Sequence, residues 1–305
     1  MSILSLDVGG SKLLLARFSQ GEIVEERQIP TLAHEGREAL LKRMVELILS
    51  MKEDASSIGL LIPGVIYQNS YVRKCSNLPL NDFDLKAFIE KETGLSAFVG
   101  NDVSFALYGE WKKRGGHFNN VVGLFAGSGL GGGLILGGEL YSGQGAAGEI
   151  GHMNYIPEGR SCGCGGWGCY ESYVAKSGML QRLEEFAQEG GNSILLEGRK
   201  SGEMLDSRVL AKGYKLGDSL AVELFEESAR ALGSAIASLH AVLEPDLFIL
   251  GGGVVDDYGE EYFDEVNKWA QILVMPSMAN TLKIETSMLK GKAGIYGGYY
   301  FAKGK

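Results

Sequence analysis

Apolar and polar positions along the first fifty residues follow two different periods. "SILSLDVGGSKLLLARF" predicts a strand, a turn at Gly9-Gly10, and a second strand from Leu13 to Phe18. A third strand, Glu22 to Arg27, follows the Gln20-Gly21 turn. After Thr31 the pattern becomes helical: Leu40, Met44, Ile48 and Met51 recur at spacings of four, four and three, which puts them on one face. "SIGLLIPG" is apolar almost throughout and predicts a buried strand ending at Pro63. Asp84 is placed to cap a helix from Leu85 to Lys91, Gly94 to end it, and "SAFVG" reads as the next strand.

The opening pattern then returns. "VVGLFAGSGLGGGLIL" is again an apolar strand, a glycine turn and an apolar strand beginning at Leu134. The same strand–turn–strand device thus occurs twice, roughly 120 residues apart, which predicts two halves of related architecture facing one cleft. A long helix, Ser219 to Leu243, precedes "PDLFILGGGVV", a strand ending in glycines. Residues 188–218 carry no dominant period. The terminal "GKAGIYGGYYF" predicts a short helix that packs back on the first half.

Composition narrows the class. A length of 305 residues suggests two domains, and 45% hydrophobic with 22% charged residues is ordinary for a globular protein. Net charge is −9 and no basic run exceeds Lys112-Lys113-Arg114, so nucleic acid is not an expected partner. No apolar stretch reaches the ~18 residues of a membrane span and the N-terminus has no signal-peptide pattern, so the expected compartment is the cytoplasm, with no membrane partner. Glycine is the outlier, 45 residues against 6 prolines; the glycines follow apolar segments in short runs and read as tight turns.

"RSCGCGGWGCYES", from Arg160 to Ser172, holds three of the four cysteines; Cys75 lies far back in the chain. Three thiols cannot all pair, and a disulfide does not suit a reducing compartment. Cys162, Cys164 and Cys169, with His152 ten residues upstream of the first, match a Cys3His zinc site. Four protein ligands leave no open position for substrate or water, so this zinc is expected to be structural. Glu149 and Glu171 flank the same loop, and a fixed loop would hold two carboxylates and an imidazole in set geometry, as a polar small-molecule site needs.

"GSGLGG", from Gly127 to Gly132, formally matches the dinucleotide-binding fingerprint. That turn should open a helix, whereas "GGLILGGELYSG" is β-prone with its own Gly137-Gly138 turn, so the match is discounted. Two strand–glycine–strand turns can instead clamp a phosphate chain through backbone N–H groups. Asp7 before the first turn offers a ligand to a metal-bound water, and Ser128 in the second offers a hydroxyl. Asn101-Asp102 joins a strand to a helix; either residue suits a helix cap, and the strand end also suits a general base for phosphoryl transfer.

In this order, the pieces resemble the ROK family of sugar kinases, within the actin-like ATPase superfamily, over essentially the whole chain. "LDVGGSK" is similar to the first phosphate motif, "SNLP" to the sugar loop, "ND" to the catalytic pair and "GSGLGGG" to the second phosphate motif. "GEIGH" with "CGCGGWGCYES" resembles the sugar and zinc signature, and "LFILGGGV" the adenosine-side strand. The resemblance implies an α/β chain of two actin-like ATPase (ribonuclease H-like) domains flanking a central cleft, with a structural zinc loop. The domains would be residues 1–101, joined by a C-terminal helix 291–305, and residues 102–290.

It also implies roles. Asp102 would take the proton from the 6-hydroxyl of a hexose, while Asn77, Asn101, Glu149, His152 and Glu171 would bind the other hydroxyls. Asp7 would act through Mg2+, and Gly9, Gly10, Ser11, Lys12, Gly127, Ser128, Gly129, Gly251 and Gly252 would hold ATP, with polyphosphate as the alternative donor. His152, Cys162, Cys164 and Cys169 would hold Zn2+, and a ring nitrogen of His152 bound to zinc would leave the other as an N–H donor. The family is commonly dimeric, so a homodimer is expected. Three departures stand out: Ser128 where Thr is usual, Gly100 where Glu often precedes the Asn-Asp pair, and "NLPLND" without the Gly-Trp that often follows "NLP". The last two bear on which sugar is bound.

The leading expectation is ATP-dependent phosphorylation of glucose, with N-acetylmannosamine or N-acetylglucosamine as alternatives. A sugar-sensing transcriptional regulator is a reading of another class; such relatives carry a helix-turn-helix ahead of the sugar domain, and here the first strand begins at Ile3. A sugar-binding protein without catalysis is the third reading, against which stand Asp102 and both glycine turns.

Overall fold

The computed structural model describes residues 2–75, 77–196 and 206–304. Its packing divides the chain into two units: Met1–His117 with Gly133–Gly148 and Gly291–Lys305, and Phe118–Gly132 with Glu149–Lys290.

In the first unit, β1 (Ser2–Val8), β2 (Lys12–Ser19) and β3 (Glu22–Pro30) form an antiparallel meander. β4 (Ala55–Ile62) runs parallel to β1 on its other side. A small separate sheet follows, made of β5 (Val65–Tyr67), β6 (Tyr71–Lys74) and β7 (Phe83–Asp84). Then β8 (Ser96–Asn101) adds parallel to β4, giving the order β3-β2-β1-β4-β8.

Alternation along the strands decides what each face meets. Leu4, Leu6, Val8, Ile58, Leu60 and Ile62 are buried in one cluster with Leu40, Met44 and Ile48 of α1 (Arg37–Ser50) and Ile89 of α2 (Leu85–Thr93). Asp84 caps α2 by accepting the Ala87 N–H, and Gly94 ends it in the left-handed conformation, as the sequence predicts. The intervening residues Ser5 and Gly59 face the C-terminal helix, Ala293–Lys303. A Cβ on Gly59 would lie 2.3 Å from the Gly298 carbonyl oxygen, so strand and helix meet backbone to backbone. α3 (Asp102–Lys113) packs on the same helix, where a Cβ on Gly297 would lie 1.7 Å from the Phe105 carbonyl. This packing brings α3 into the first unit, so the packing boundary falls after His117 and not between Asn101 and Asp102.

The second sheet comprises β9 (Val121–Ala126), β10 (Leu130–Leu136), β11 (Glu139–Leu140), β12 (Leu247–Gly251) and β13 (Ile284–Thr286), in the order β11-β10-β9-β12-β13. β12 runs parallel to both β9 and β13, and β10 pairs antiparallel with β11 through the Gly137-Gly138 turn. Strand for strand this is the order of the first sheet, so the repeat in the sequence is a repeat of topology. The unit boundary passes through β10 itself, between Gly132 and Gly133.

Helices of the second unit are α4 (Glu171–Val174), α5 (Lys176–Gln188), α6 (Ser207–Lys215), α7 (Ser219–Leu243), α8 (Gly253–Tyr258) and α9 (Glu260–Leu273), with α10 (Ala293–Lys303) returning to the first. α7 spans the predicted bounds; Asp218 caps it, and Leu220, Leu224, Leu232 and Ile236 are buried. Of the stretch 188–218 left without a period, Ser207–Lys215 is helical, and residues 197–205 lie outside those described. Among the described residues no helix is long and apolar enough to cross a membrane.

Candidate active site

In the first unit the Gly9–Lys12 turn joins β1 to β2, closed by the Gly9 N–H donating to the Lys12 carbonyl at 3.0 Å. Asp7 sits near the end of β1. Its carboxyl is pushed up to about 6, first by burial and then by the Asp102 charge, with the Lys12 ammonium acting the other way. Two carboxylates and a cation therefore converge beside a glycine turn. Asn77 lies against that turn as well: a Cβ on Gly10 would be 3.6 Å from its Cβ.

Asn101 and Asp102 separate in role. Asn101 is the cap of α3, its side-chain oxygen accepting the Ser104 N–H at 2.9 Å while its amide donates to the Gly64 carbonyl at 3.2 Å. Asp102 is the first helical residue, and one carboxylate oxygen accepts the Val103 N–H at 2.9 Å. The cap expected of either residue belongs to Asn101. Gly100 also gains a reason: a Cβ there would lie 2.2 Å from the Phe105 ring, so the space of a longer side chain is filled by an aromatic from α3.

In the second unit the turn from Gly127 to Gly129 joins β9 to β10, closed by the Gly127 N–H donating to the Gly129 carbonyl at 2.8 Å. Gly252, at the end of β12, lies with its backbone against the Ala126 carbonyl, so the glycine strand end adjoins this turn.

The cysteine loop is a small bonded hairpin. The Cys162 N–H donates to the Gly166 carbonyl at 2.9 Å, the Gly168 N–H to Arg160 at 2.7 Å, and the Tyr170 N–H to Met153 at 3.1 Å. Gly168 has φ 69° and a Cβ on it would lie 1.7 Å from the Ile156 carbonyl, so only glycine closes the loop. The ligand atoms of His152, Cys162, Cys164 and Cys169 lie within 4.8 Å of one another. Cys164 and Cys169 sulfurs are 3.8 Å apart, and Cys162 Sγ is 3.6 Å from His152 Nδ1. A tetrahedron with Zn–S of about 2.3 Å and Zn–N of about 2.0–2.1 Å has edges of roughly 3.8 and 3.6 Å. The donor set and spacing are thus compatible with a structural zinc. Burial, then its sulfur neighbours, pushes the Cys169 thiol up to about 12, a crowding that a cation binding thiolates would relieve. With Nδ1 towards the sulfurs, His152 Nε2 lies 3.8 Å from Glu149 Oε2.

Glu171 stands between the two features. Its Oε1 is 3.7 Å from Cys162 Sγ, and its Oε2 accepts the Leu130 N–H at 3.0 Å, just behind the second glycine turn. Sequence reasoning missed Thr31. Fully buried, it donates its hydroxyl to the Gly9 carbonyl at 2.6 Å and its N–H to the Ser11 carbonyl at 3.0 Å, bracing the first turn. A threonine between a predicted strand and a predicted helix carries no signal of that kind.

Two sheets of one strand order, each turning on a glycine loop after its first strand, define a duplicated mixed α/β fold. The ROK family profile matches residues 3–305, and the chain belongs to the ROK family. It is 32% identical to a glucokinase of Halalkalibacterium halodurans over 98% of this chain and 94% of that one. It is 31% identical to an N-acetylmannosamine kinase of Shigella flexneri over 83% of this chain and 84% of the relative. Among solved structures, a ROK family glucokinase from Streptomyces griseus, in complex with glucose and AMPPNP, superposes with TM-score 0.84 at 28% identity, each chain covered fully.

Proposed function

We propose that the protein is an ATP-dependent sugar kinase that phosphorylates a hexose, glucose, at its 6-hydroxyl. The observation that carries this reading is the pairing of Asp7 with Asp102 beside the Gly9–Lys12 turn. A carboxylate raised first by its burial and then by the charge of a second carboxylate is a site that favours a cation, and phosphoryl transfer needs one. Asp7 would hold Mg2+, whose charge would offset that of the transferring phosphate. Asp102, anchored at the first turn of α3, accepts the proton of the 6-hydroxyl as its oxygen attacks the γ-phosphorus and ADP leaves. By the family resemblance, backbone N–H groups of each glycine turn and the Ser128 hydroxyl would bind phosphate oxygens of ATP, and Gly251 and Gly252 would border the nucleoside.

On the sugar side, the family resemblance assigns Asn77, Asn101, Glu149, His152 and Glu171 to the remaining hydroxyls. With Nδ1 as a metal ligand, His152 keeps its proton on Nε2 and donates it, while Glu149 accepts. Zinc would fix that tautomer and the loop, and takes no part in the chemistry.

Glucose is favoured over 2-acetamido sugars by the glucokinase relative and by the glucose-bound Streptomyces structure. The Shigella relative favours N-acetylmannosamine as the second reading. A coupled ADP-release assay over a panel of hexoses and N-acetylhexosamines separates them. Glucose should give the highest kcat/KM. N-acetylmannosamine exceeding it tenfold would overturn the choice of sugar, and no sugar-dependent ADP release would overturn the kinase.

A further inference from the structure

The second glycine turn is bonded from behind by the stretch of chain that leaves the cysteine loop. Cys169, the last sulfur, is followed two residues later by α4 and then by α5. Three hydrogen bonds connect that stretch to the turn. Leu130 N–H donates to Glu171 Oε2 at 3.0 Å, Lys176 N–H to the Gly127 carbonyl at 3.0 Å, and Ser177 N–H to the Ser128 carbonyl at 3.2 Å. Glu171 touches both sides, because its other oxygen is 3.7 Å from Cys162 Sγ. Gly129 is pressed against the same carboxylate, where a Cβ would lie 2.6 Å from Oε2.

We propose that the cysteine loop, through Glu171 and the main chain of Lys176 and Ser177, sets the grip of the Gly127–Gly129 turn on the donor phosphate as well as the placing of the sugar ligands. This rests on the reading of that turn as a phosphate clamp. A turn binds an anion only while its N–H groups converge, and those groups are aimed by where its carbonyls are tied. Two carbonyls, Gly127 and Ser128, are tied to the start of α5, and one amide beyond the turn is tied to Glu171. Release of the loop frees all three ties together. Lys176, Ser177 and the Oε2 of Glu171 are positioning groups here; a carboxylate has about four lone-pair sites, so Glu171 can still accept a sugar hydroxyl.

One substitution isolates the tie. Lys176 is the first residue of α5, the one helical position that tolerates proline, and Ala175 before it is extended (φ −84°, ψ 156°), as a residue preceding proline must be. Lys176→Pro therefore removes the N–H given to Gly127 while leaving the helix possible, and Lys176→Ala keeps that N–H as the conservative control. The readouts are amide hydrogen exchange at 127–130, and the affinities for a non-hydrolysable ATP analogue and for glucose. Lys176→Pro should speed exchange at those amides about tenfold and weaken the nucleotide about 5- to 10-fold, the factor expected for one lost backbone hydrogen bond, with glucose affinity unchanged. Lys176→Ala should restore wild-type values. Chelator-stripped wild type should show the same faster exchange and weaker nucleotide binding together with weaker glucose binding, and it carries no substitution that could prevent folding. Wild-type exchange at 127–130 in both Lys176→Pro and the stripped protein overturns the tie. Absence of nucleotide binding by the wild type overturns instead the kinase reading on which the proposal rests, and the exchange data distinguish the two failures.

Discussion

Gly9–Lys12 and Gly127–Gly129 occupy equivalent places in two sheets of the same strand order, yet they are held by different means. The first is braced by Thr31, which follows β3 of the same sheet and whose own carbonyl accepts from Arg43 of α1 at 2.8 Å. The second is tied instead to the segment that follows the cysteine loop. Duplicated strands have kept their topology while the bracing has diverged. One turn depends on the packing of its own sheet and α1, the other on a loop whose shape a metal would fix.

Chemistry should separate from both turns. On the proposed role, Asp102→Asn lowers kcat on the order of 10²–10⁴-fold, because an amide cannot take the hydroxyl proton. KM for sugar and ATP should change little, and thermal stability should stay near wild type because Asn101 provides the cap. Retention of more than about a tenth of wild-type kcat would remove Asp102 from the role of base.

Loss of the metal should strike one turn only. Wild-type protein should contain about one zinc per chain, and Cys169→Ser should lose it. KM for both glucose and ATP should then rise about 10- to 100-fold, with a lower melting temperature. Full activity in zinc-free wild type would sink the structural role.

The converse is Thr31→Val, which keeps shape and removes the hydroxyl donated to Gly9. It leaves a partly buried carbonyl short of a donor, so stability should fall by about 1 kcal/mol and KM for ATP should rise about 5- to 10-fold. Zinc content should remain that of wild type. Zinc loss in this variant, measured by metal analysis, would break the contrast between the turns.

The effect of pH is graded and starts small. Asp7 titrates near 6, raised from 3.8, so below pH 6 it is increasingly protonated and cannot hold a cation. At saturating zinc and low magnesium, kcat/KM should be about halved at pH 6 relative to its plateau and fall about tenfold per unit below that. The sign for stability is opposite. A raised carboxyl binds its proton more tightly when folded, so its contribution is full below pH 3.8 and is lost as pH rises through about 6. Asp7→Asn should flatten this part of the stability profile, which denaturant titration between pH 4 and 7 would measure.

Strands β1 to β4, β8, β9 and β12, the caps at Asp84 and Gly94, the bounds of α7 and the repeated strand–turn–strand device were legible in the sequence, since each rests on local periodicity or on one residue's backbone preference; the short strands β5, β6, β7 and β13 were not, and β10 begins at Leu130 and not at Leu134. The Cys3His set was legible as well, because C-x-C-x4-C forces three sulfurs together within one short loop. What only the tertiary structure decided lies in contacts between distant segments: the Phe105 ring that fills the space beside Gly100, the His152 nitrogen that faces the sulfurs, and the assignment of the cap to Asn101. The ties of Thr31, Lys176 and Ser177 belong there too. Most of those are main-chain hydrogen bonds, and every residue except proline carries the same N–H and C=O, so no side chain records where they are made.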